Sequence, residues 1–306
     1  MPFPLDYTWS SEMMTRLIIA LVLGLSGWDC LASGERLLVY SQTTSFHHLS
    51  IADGIAALKK GAVSEGYTLD FSEDAAYFTQ ENLGKYQGIV LMSPSGNNFN
   101  LAQRAAFEEF FHQGGGVAGI HDAISGPLAY EWEWPWYVKL NGAVFINHSD
   151  ILPATVKVVD ATHPSTMGLP AKWVHTDEWY NYKFDDRTGM HVLLNLEETT
   201  YTGGTMGADH PAAWTRDIEG GHAWFTILGH TSEDYTDSIF LSHFWGGIRS
   251  VVPKPVSNKN TIMPLRTYGS IMLTALPSQT WMKVSGDRKI WVDALGKIGA
   301  IQIEAH

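Results

Sequence analysis

The amino-acid sequence predicts an α/β protein built around a doubly wound sheet of parallel strands, with antiparallel strands and a hairpin added in the second half. Two observations lead to this prediction. In the first half, short apolar runs typical of buried strands alternate with segments whose apolar residues recur at helical spacing. In the second half, strand-like runs follow one another with only turns between them. The 306 residues suffice for one large core.

The elements of the first half alternate in type along the chain. The first helix is expected to have Ser50 as its N-cap and to end at Gly66. The second helix places three phenylalanines on its apolar face. In chain order, we predict a strand at Arg36–Tyr40, a helix at Ile51–Val63, strands at Tyr67–Phe71 and Tyr86–Met92, a helix at Leu101–His112 and a strand at Gly114–Ile120.

The second half is predicted to consist mainly of strands. They lie at Ala154–Val159, Glu178–Tyr182 and His191–Leu196. Glu219-Gly220-Gly221 is a turn signal between two runs rich in aromatic and β-branched residues, which predicts a β-hairpin. His210 begins the first strand of this hairpin and His230 follows the second, so both are expected at one edge of the sheet.

The N-terminal segment resembles a secretory leader. Arg16 precedes the apolar run Leu17–Leu25, and small residues follow up to Ala32. The run is shorter than the roughly 20 residues that a membrane span needs, so we predict a signal peptide at residues 1–32, no membrane anchor and a secreted protein. Cleavage after Ala32 would remove Cys30, the one cysteine of the chain, which excludes disulfides and a thiol nucleophile in the mature protein.

Charge and composition limit the partners and the domain boundaries. The formal net charge of −12 argues against nucleic acid or an anionic membrane surface as a partner. The sequence does not indicate an oligomeric state. Pro253–Asn260 has the composition of a linker, and the periodic pattern ends before it. We therefore predict a main domain at residues 35–252 and a poorly defined C-terminal extension at 253–306.

Five polar side chains are expected near one sheet edge, because ligands of doubly wound sheets bind beyond the carboxyl ends of the strands. They are His48, His121, Glu178, His210 and His230. Imidazoles with a carboxylate suit zinc or another divalent metal. We assign catalytic roles to His121, Glu178 and His230. Glu178 is preferred to Asp177, since neighbouring side chains of a strand face opposite ways.

Further residues are candidates for contact with a metal or a small carbohydrate ligand. The metal candidates are His121, His148, His210 and His230. The substrate candidates combine an aromatic loop with a glycine-rich loop and two imidazoles: His48, Tyr130, Trp136, Tyr137, Trp179, Gly204, Met206 and His210. The alternative for each histidine is a hydrogen-bonded structural residue, and for each aromatic side chain a packing role.

Several motifs follow one another in unbroken order from about residue 35 to 252: Phe46–Ile51, Gly114–His121, Trp134–Tyr137, Gly142–His148, Asp177–Tyr180, Tyr201–Pro211, Gly229–Thr231 and Gly246–Arg249. Together they resemble the ThuA-like family, which is associated with trehalose utilisation. The resemblance implies a flavodoxin-like fold of the class I glutamine amidotransferase type and a role in carbohydrate metabolism, on keto-sugars or their glycosides. Two positions differ from the usual pattern of the family: His47 stands where an arginine is common, and Asp122 stands where a small residue is usual.

The resemblance and the residues together leave two functions open. In class I glutamine amidotransferases a nucleophilic cysteine occupies the turn where this chain has His121, so an amidotransferase reaction is excluded. A serine-dependent amidase is disfavoured, because no Gly-x-Ser-x-Gly motif is present. The main hypothesis is a hydrolase or lyase acting on a sugar, keto-sugar or glycoside, with or without assistance from a metal. The alternative is a carbohydrate-binding protein without catalysis.

Overall fold

The computed structural model describes residues 35–124 and 134–252, and three strands in the C-terminal extension. The predicted leader at residues 1–32, the linker and Tyr130 lie outside the described residues. The chain divides into two compact units, Met1–Pro255 and Val256–His306. Among the helices of the described residues, none combines the length and apolar character that crossing a membrane requires.

A nine-stranded sheet with the order β2-β1-β3-β4-β9-β8-β7-β5-β6 forms the centre of the first unit. The five strands from β2 to β9 are parallel, and from β9 to β6 each neighbouring pair is antiparallel. The predicted fold class and the predicted hairpin are therefore confirmed. The strands are β1 Glu35–Tyr40, β2 Tyr67–Ser72, β3 Gly88–Met92, β4 Gly116–Ile120, β5 Ala143–Val158, β6 Lys172–Phe184, β7 His191–Glu197, β8 Pro211–Ile218 and β9 Gly221–Thr226.

The helices of this unit are α1 Ser50–Glu65, α2 Gln80–Leu83, α3 Leu101–His112, α4 Pro135–Asn141 and α5 Ser238–Val251. Gly66 ends α1 with a φ of 76°, as predicted, because a glycine adopts this left-handed conformation without steric cost. The prediction for Ser50 is wrong. Leu49 is the N-cap, and the Ser50 hydroxyl instead donates a hydrogen bond of 3.1 Å to the carbonyl of Gly229.

The central strands bring three loops to one edge of the sheet. All residues of β3 and β4 are buried, as expected for parallel strands covered on both faces. Ile120 at the end of β4 is in register with Thr226 at the end of β9, so the segments that follow these two strands start side by side. β1 ends at the same edge, because it is parallel to its neighbours.

The second half contains more regular structure than the sequence analysis predicted. β5 begins at Ala143 rather than Ala154, and its pairing with β6 has register shifts around residues 145–151. Polar residues interrupt the apolar alternation there, which hid the strand. Helices α4 and α5 were not predicted either. In the C-terminal extension, three strands that the sequence analysis missed form an antiparallel sheet: β10 Thr280–Ser285, β11 Arg288–Val292 and β12 Ile298–Ile303.

Candidate functional site

Four of the five side chains expected at the sheet edge come together. Each of His48, His121, Glu178 and His230 offers one atom that could bind a metal, a ring nitrogen or a carboxylate oxygen, and these four atoms all lie within 4.8 Å of one another. His48 lies in the loop after β1, His121 directly follows β4, and His230 follows β9. Glu178 projects from β6, which lies at the far end of the sheet order.

The three imidazoles form a nearly equilateral triangle. The ring centroids are 4.7 Å apart for His48 and His121, 4.9 Å for His121 and His230, and 5.1 Å for His48 and His230. The rings meet edge to face in each pair, with interplanar angles of 72° to 88°. The rings therefore do not stack, and one nitrogen of each lies within 4.8 Å of one nitrogen of the other two.

His121 is held by the backbone of the neighbouring strand. Its Nδ1 lies 2.7 Å from the carbonyl oxygen of Ile227, and a carbonyl can only accept, so Nδ1 carries the hydrogen. Nε2 therefore faces the site, 2.8 Å from the Tyr180 hydroxyl and 3.0 Å from Nδ1 of His230. The φ of His121 is 46°, a left-handed value that is uncommon outside glycine and that recurs at functional sites.

The Glu178 carboxylate lies among imidazoles. Its oxygens are 2.9 Å from Nδ1 of His148, 3.4 Å from Nδ1 of His230 and 3.6 Å from Nε2 of His121. Asp177, the preceding residue, is fully buried on the opposite face of β6. The alternation of the strand thus sends Glu178 into the site and Asp177 behind it.

The electrostatics keep the carboxylate charged and most of the imidazoles neutral. Burial opposes ionisation of both His121 and Glu178, but their mutual attraction raises the pKa of His121 and lowers that of Glu178. Burial and the neighbouring imidazoles lower the pKa of His48 to about 2, and burial and His121 also lower the pKa of His230. At neutral pH the site therefore holds one carboxylate and two uncharged imidazoles beside His121.

His48 carries a buried nitrogen without a partner. Its Nδ1 is shielded from solvent and makes no hydrogen bond, and it lies 3.5 Å from the Asp122 carboxylate. Buried polar atoms are nearly always satisfied, so this unsatisfied ring nitrogen beside the other imidazoles indicates a position for a ligand.

A cleft of about 510 Å³ opens beside His48 and His230. Its lining includes three exposed apolar side chains, those of Phe46, Leu49 and Ile151, and the other lining residues carry hydroxyl, imidazole or carboxylate groups. Glu233 is the one carboxylate among the lining residues, and within the described part of the chain no lysine or arginine lines the cleft. These properties favour an uncharged ligand with an apolar face.

His210 and His148, two of the predicted metal ligands, lie outside the four-residue group. Both ring nitrogens of His210 are engaged, with Nδ1 2.7 Å from Glu198 and Nε2 2.8 Å from the carbonyl of Tyr180. His210 lies at the predicted edge of the sheet, but its ring faces Glu198 in the loop that precedes β8. His148 lies at the margin, half exposed, where it contacts Glu178.

The predicted aromatic contacts to a ligand are packing contacts. Tyr137 and Trp179 are fully buried, and they donate hydrogen bonds to the carbonyls of Ala123 and Leu152. Trp136 donates to Glu219 and packs against α3. The alternation that exposes Glu178 in the site necessarily turns Trp179 away from it. These three residues are corrected to a structural role.

The glycine-rich loop also has a structural role. The backbone N–H of Met206 donates to Glu198, and its sulfur accepts a contact of 3.5 Å from the N–H of Tyr182. At Gly204, an added Cβ would lie 2.6 Å from the carboxyl carbon of Glu198. Gly204 and Met206 therefore wrap the Glu198 carboxylate, and the structure does not bring them to the cleft lining.

Two residues of the site were missed from the sequence. Tyr180 contacts His121, and it follows Glu178 by two positions on β6, so the same alternation would have identified it. Phe46 has a ring centroid 4.7 Å from that of His48 and is 63% exposed at the cleft. Its position two residues before a predicted site histidine was the available signal.

Comparisons with known proteins agree with the fold. A family model described as ThuA, trehalose utilisation, matches residues 36–250. A solved ThuA-like protein from Bacteroides uniformis is 27% identical, with coverage of 71% of this chain and 91% of that chain and a TM-score of 0.62. One from Parabacteroides merdae is 16% identical, with coverage of 73% and 91% and a TM-score of 0.58. No curated protein matches the sequence.

Proposed function

Because this chain belongs to the ThuA family, which is described by trehalose utilisation, we propose that it is an enzyme that cleaves a neutral glycoside or keto-glycoside as a hydrolase or lyase. The family supports the coarser role in carbohydrate metabolism. The observation that carries the finer proposal is the triangle of His48, His121 and His230 with Glu178 beside it. Two of its members, His48 and His230, line a cleft.

The three imidazoles fit a divalent transition metal, for which zinc is the natural probe. Nitrogen ligands about 2.1 Å from a tetrahedral ion place their ring centroids about 5 Å apart, close to the separations in the triangle. The buried Nδ1 of His48 makes no hydrogen bond, and the Ile227 carbonyl orients His121 as outer-sphere carbonyls orient metal-bound histidines. Such an ion, when bound, would polarise a carbonyl or activate water.

Glu178 is the proton-transferring group of the proposal. Its side chain is 13% exposed, and its lowered pKa keeps it ionised at neutral pH, so it can accept a proton from the attacking water in a hydrolase or from a substrate carbon in a lyase. The same carboxylate can then return that proton to the leaving oxygen as the glycosidic bond breaks. The Tyr180 hydroxyl, 2.8 Å from Nε2 of His121, holds this imidazole in place beside Glu178.

The cleft favours a sugar without phosphate. The exposed ring of Phe46, together with Leu49 and Ile151, presents an apolar surface suited to the C–H face of a pyranose. The acidic Glu233 and the absence of a lining cation among the described residues disfavour a phosphorylated sugar.

The test combines metal analysis with turnover. Purified protein should contain or bind one zinc ion per chain and should cleave keto-glycosides. His48→Ala and His230→Ala should lose the metal, whereas Glu178→Gln should retain it and lose at least 100-fold in rate, the lower range for general acid–base groups at about 10² to 10⁴.

The matched control is His222→Ala, because His222 is an exposed histidine that contacts Asp217 outside the four-residue group. It should leave both metal and rate unchanged. Saturable sugar binding with no turnover and no metal would overturn the proposal and favour a carbohydrate-binding protein.

A further inference from the structure

A buried carboxylate lies directly behind the site. Asp177 is fully buried on β6, and its two oxygens accept three backbone hydrogen bonds. One oxygen accepts the N–H of Gly229 at 2.8 Å, and the other accepts those of His230 at 3.2 Å and Glu178 at 2.8 Å. This side chain therefore fastens the segment that carries His230 to the strand that carries Glu178.

The same segment is held from its other sides. The carbonyl of Gly229 accepts hydrogen bonds of 3.1 Å from the hydroxyls of both Ser50 and Tyr235. The carboxylate of Asp234, which is also buried, accepts the N–H of Thr231 at 3.0 Å. The peptides on both sides of His230 are thus fixed by side chains from separate parts of the fold.

An imidazole lies between the two buried carboxylates. Nε2 of His175 is 2.8 Å from Asp234 and 3.9 Å from Asp177. Two buried carboxylates are unfavourable unless a partner compensates their charge, and His175 is the adjacent group that can do so. The arrangement His175, Asp177 and Asp234 is consequently a supporting network for the loop after β9.

We infer that Asp177 is a positioning residue that sets the place of His230 in the imidazole triangle, an inference that rests on the proposed function of that triangle. Both carboxylate oxygens are needed, because they accept N–H groups on opposite sides. Asn has the same shape but only one acceptor oxygen, so its amide NH₂ would face a backbone donor on one side. The Gly229–His230 peptide then loses its anchor, and the ring of His230 leaves the triangle.

The experiment compares the full-length protein with Asp177→Asn by NMR of histidine-labelled protein without metal. Ring protons of His230 should give NOEs to those of His121 and His48, whose centroids are 4.9 and 5.1 Å away. In Asp177→Asn these NOEs should disappear, while the NOE between His48 and His121 remains. Zinc binding should weaken roughly 10- to 100-fold, as for other outer-sphere partners of metal ligands.

A stability control separates positioning from general damage. Ile248→Ala removes a fully buried side chain of α5 without touching the site, so it should lower stability but retain all three NOEs and the zinc affinity. If Asp177→Asn does not fold, Asp177→Glu keeps both acceptor oxygens but displaces them by one methylene, and it should show the same selective loss of the His230 NOEs.

The outcomes separate the two proposals. Retention of the His230 NOEs in folded Asp177→Asn, or their equal loss in Ile248→Ala, overturns the inference. A wild-type protein that shows the NOEs but binds no zinc overturns the metal proposal, while the NMR comparison still decides the role of Asp177.

Discussion

Gly229 is the position where a single methyl group should disturb the site most. Its φ is 110°, and a Cβ added there would lie 2.9 Å from both the Ile120 side chain and the Tyr235 hydroxyl, and 3.3 Å from Phe240. The substitution Gly229→Ala therefore combines an unfavourable backbone conformation with overpacking. The next residue is His230, so the strain should be transmitted directly to the imidazole triangle.

The two costs can be separated with Gly168→Ala. Gly168 has a φ of 81°, and an added Cβ would meet nothing within 4 Å. This control should cost only the backbone term, about 1–2 kcal/mol. Gly229→Ala should add about 1–3 kcal/mol for overpacking, giving about 2–5 kcal/mol in total. For a domain of this size, each kcal/mol lowers Tm by about 2–4 °C.

The assay is urea unfolding, in which the dependence of the free energy of unfolding on urea concentration should be the same for all variants, accompanied by thermal unfolding and zinc titration. We expect a Tm lower by about 2–8 °C for Gly168→Ala and by about 4–20 °C for Gly229→Ala. Zinc affinity should fall in Gly229→Ala alone. Equal destabilisation of the two variants, or unchanged zinc binding in Gly229→Ala, would refute the described packing around the loop after β9.

Three further predictions concern charge and chain boundaries. The Lys139, His112 and Trp136 side chains around Glu219 lower its pKa to about 2, so its contribution to stability is present above its ordinary pKa and is lost as the pH falls toward 2. Glu219→Gln should thus be less stable than the wild-type protein at pH 7 by less than about 1 kcal/mol, and this difference in stability should vanish near pH 2. Thermal unfolding at both pH values measures it, and a difference that persists at pH 2 contradicts the prediction. A chain ending at Val252 should unfold cooperatively, because the periodic pattern of the sequence ends there; loss of the transition would show that the extension completes the core. We propose that residues 1–32 are removed on export, and N-terminal sequencing of the extracellular protein that finds Met1 would disprove it.

The sequence predicted the parallel half of the fold because strands such as β4 are short, apolar throughout and preceded by glycines. Of the five polar side chains expected at the sheet edge, the structure groups four, and only His121 directly follows its strand. Side-chain direction was harder. His210 lies at the expected edge, but its ring faces Glu198, because that contact depends on how the loop before it folds. β5 was only partly predicted, since polar residues interrupt its alternation at the register shifts.

The position of β9 between β4 and β8 has a consequence for biosynthesis. β9 is a central strand, yet it is the last strand of the sheet to be synthesised, more than 100 residues after its parallel neighbour β4. At about 5–20 residues per second, β4 waits about 5–20 s on the ribosome as an apolar strand with the backbone groups of one edge unpaired. His121 is complete at the beginning of this interval and His230 only at its end. The nascent chain therefore has an aggregation-prone strand edge for as long as the imidazole triangle is incomplete. Insertion of β9 next to β4 covers that edge and brings His230 to the triangle in the same step.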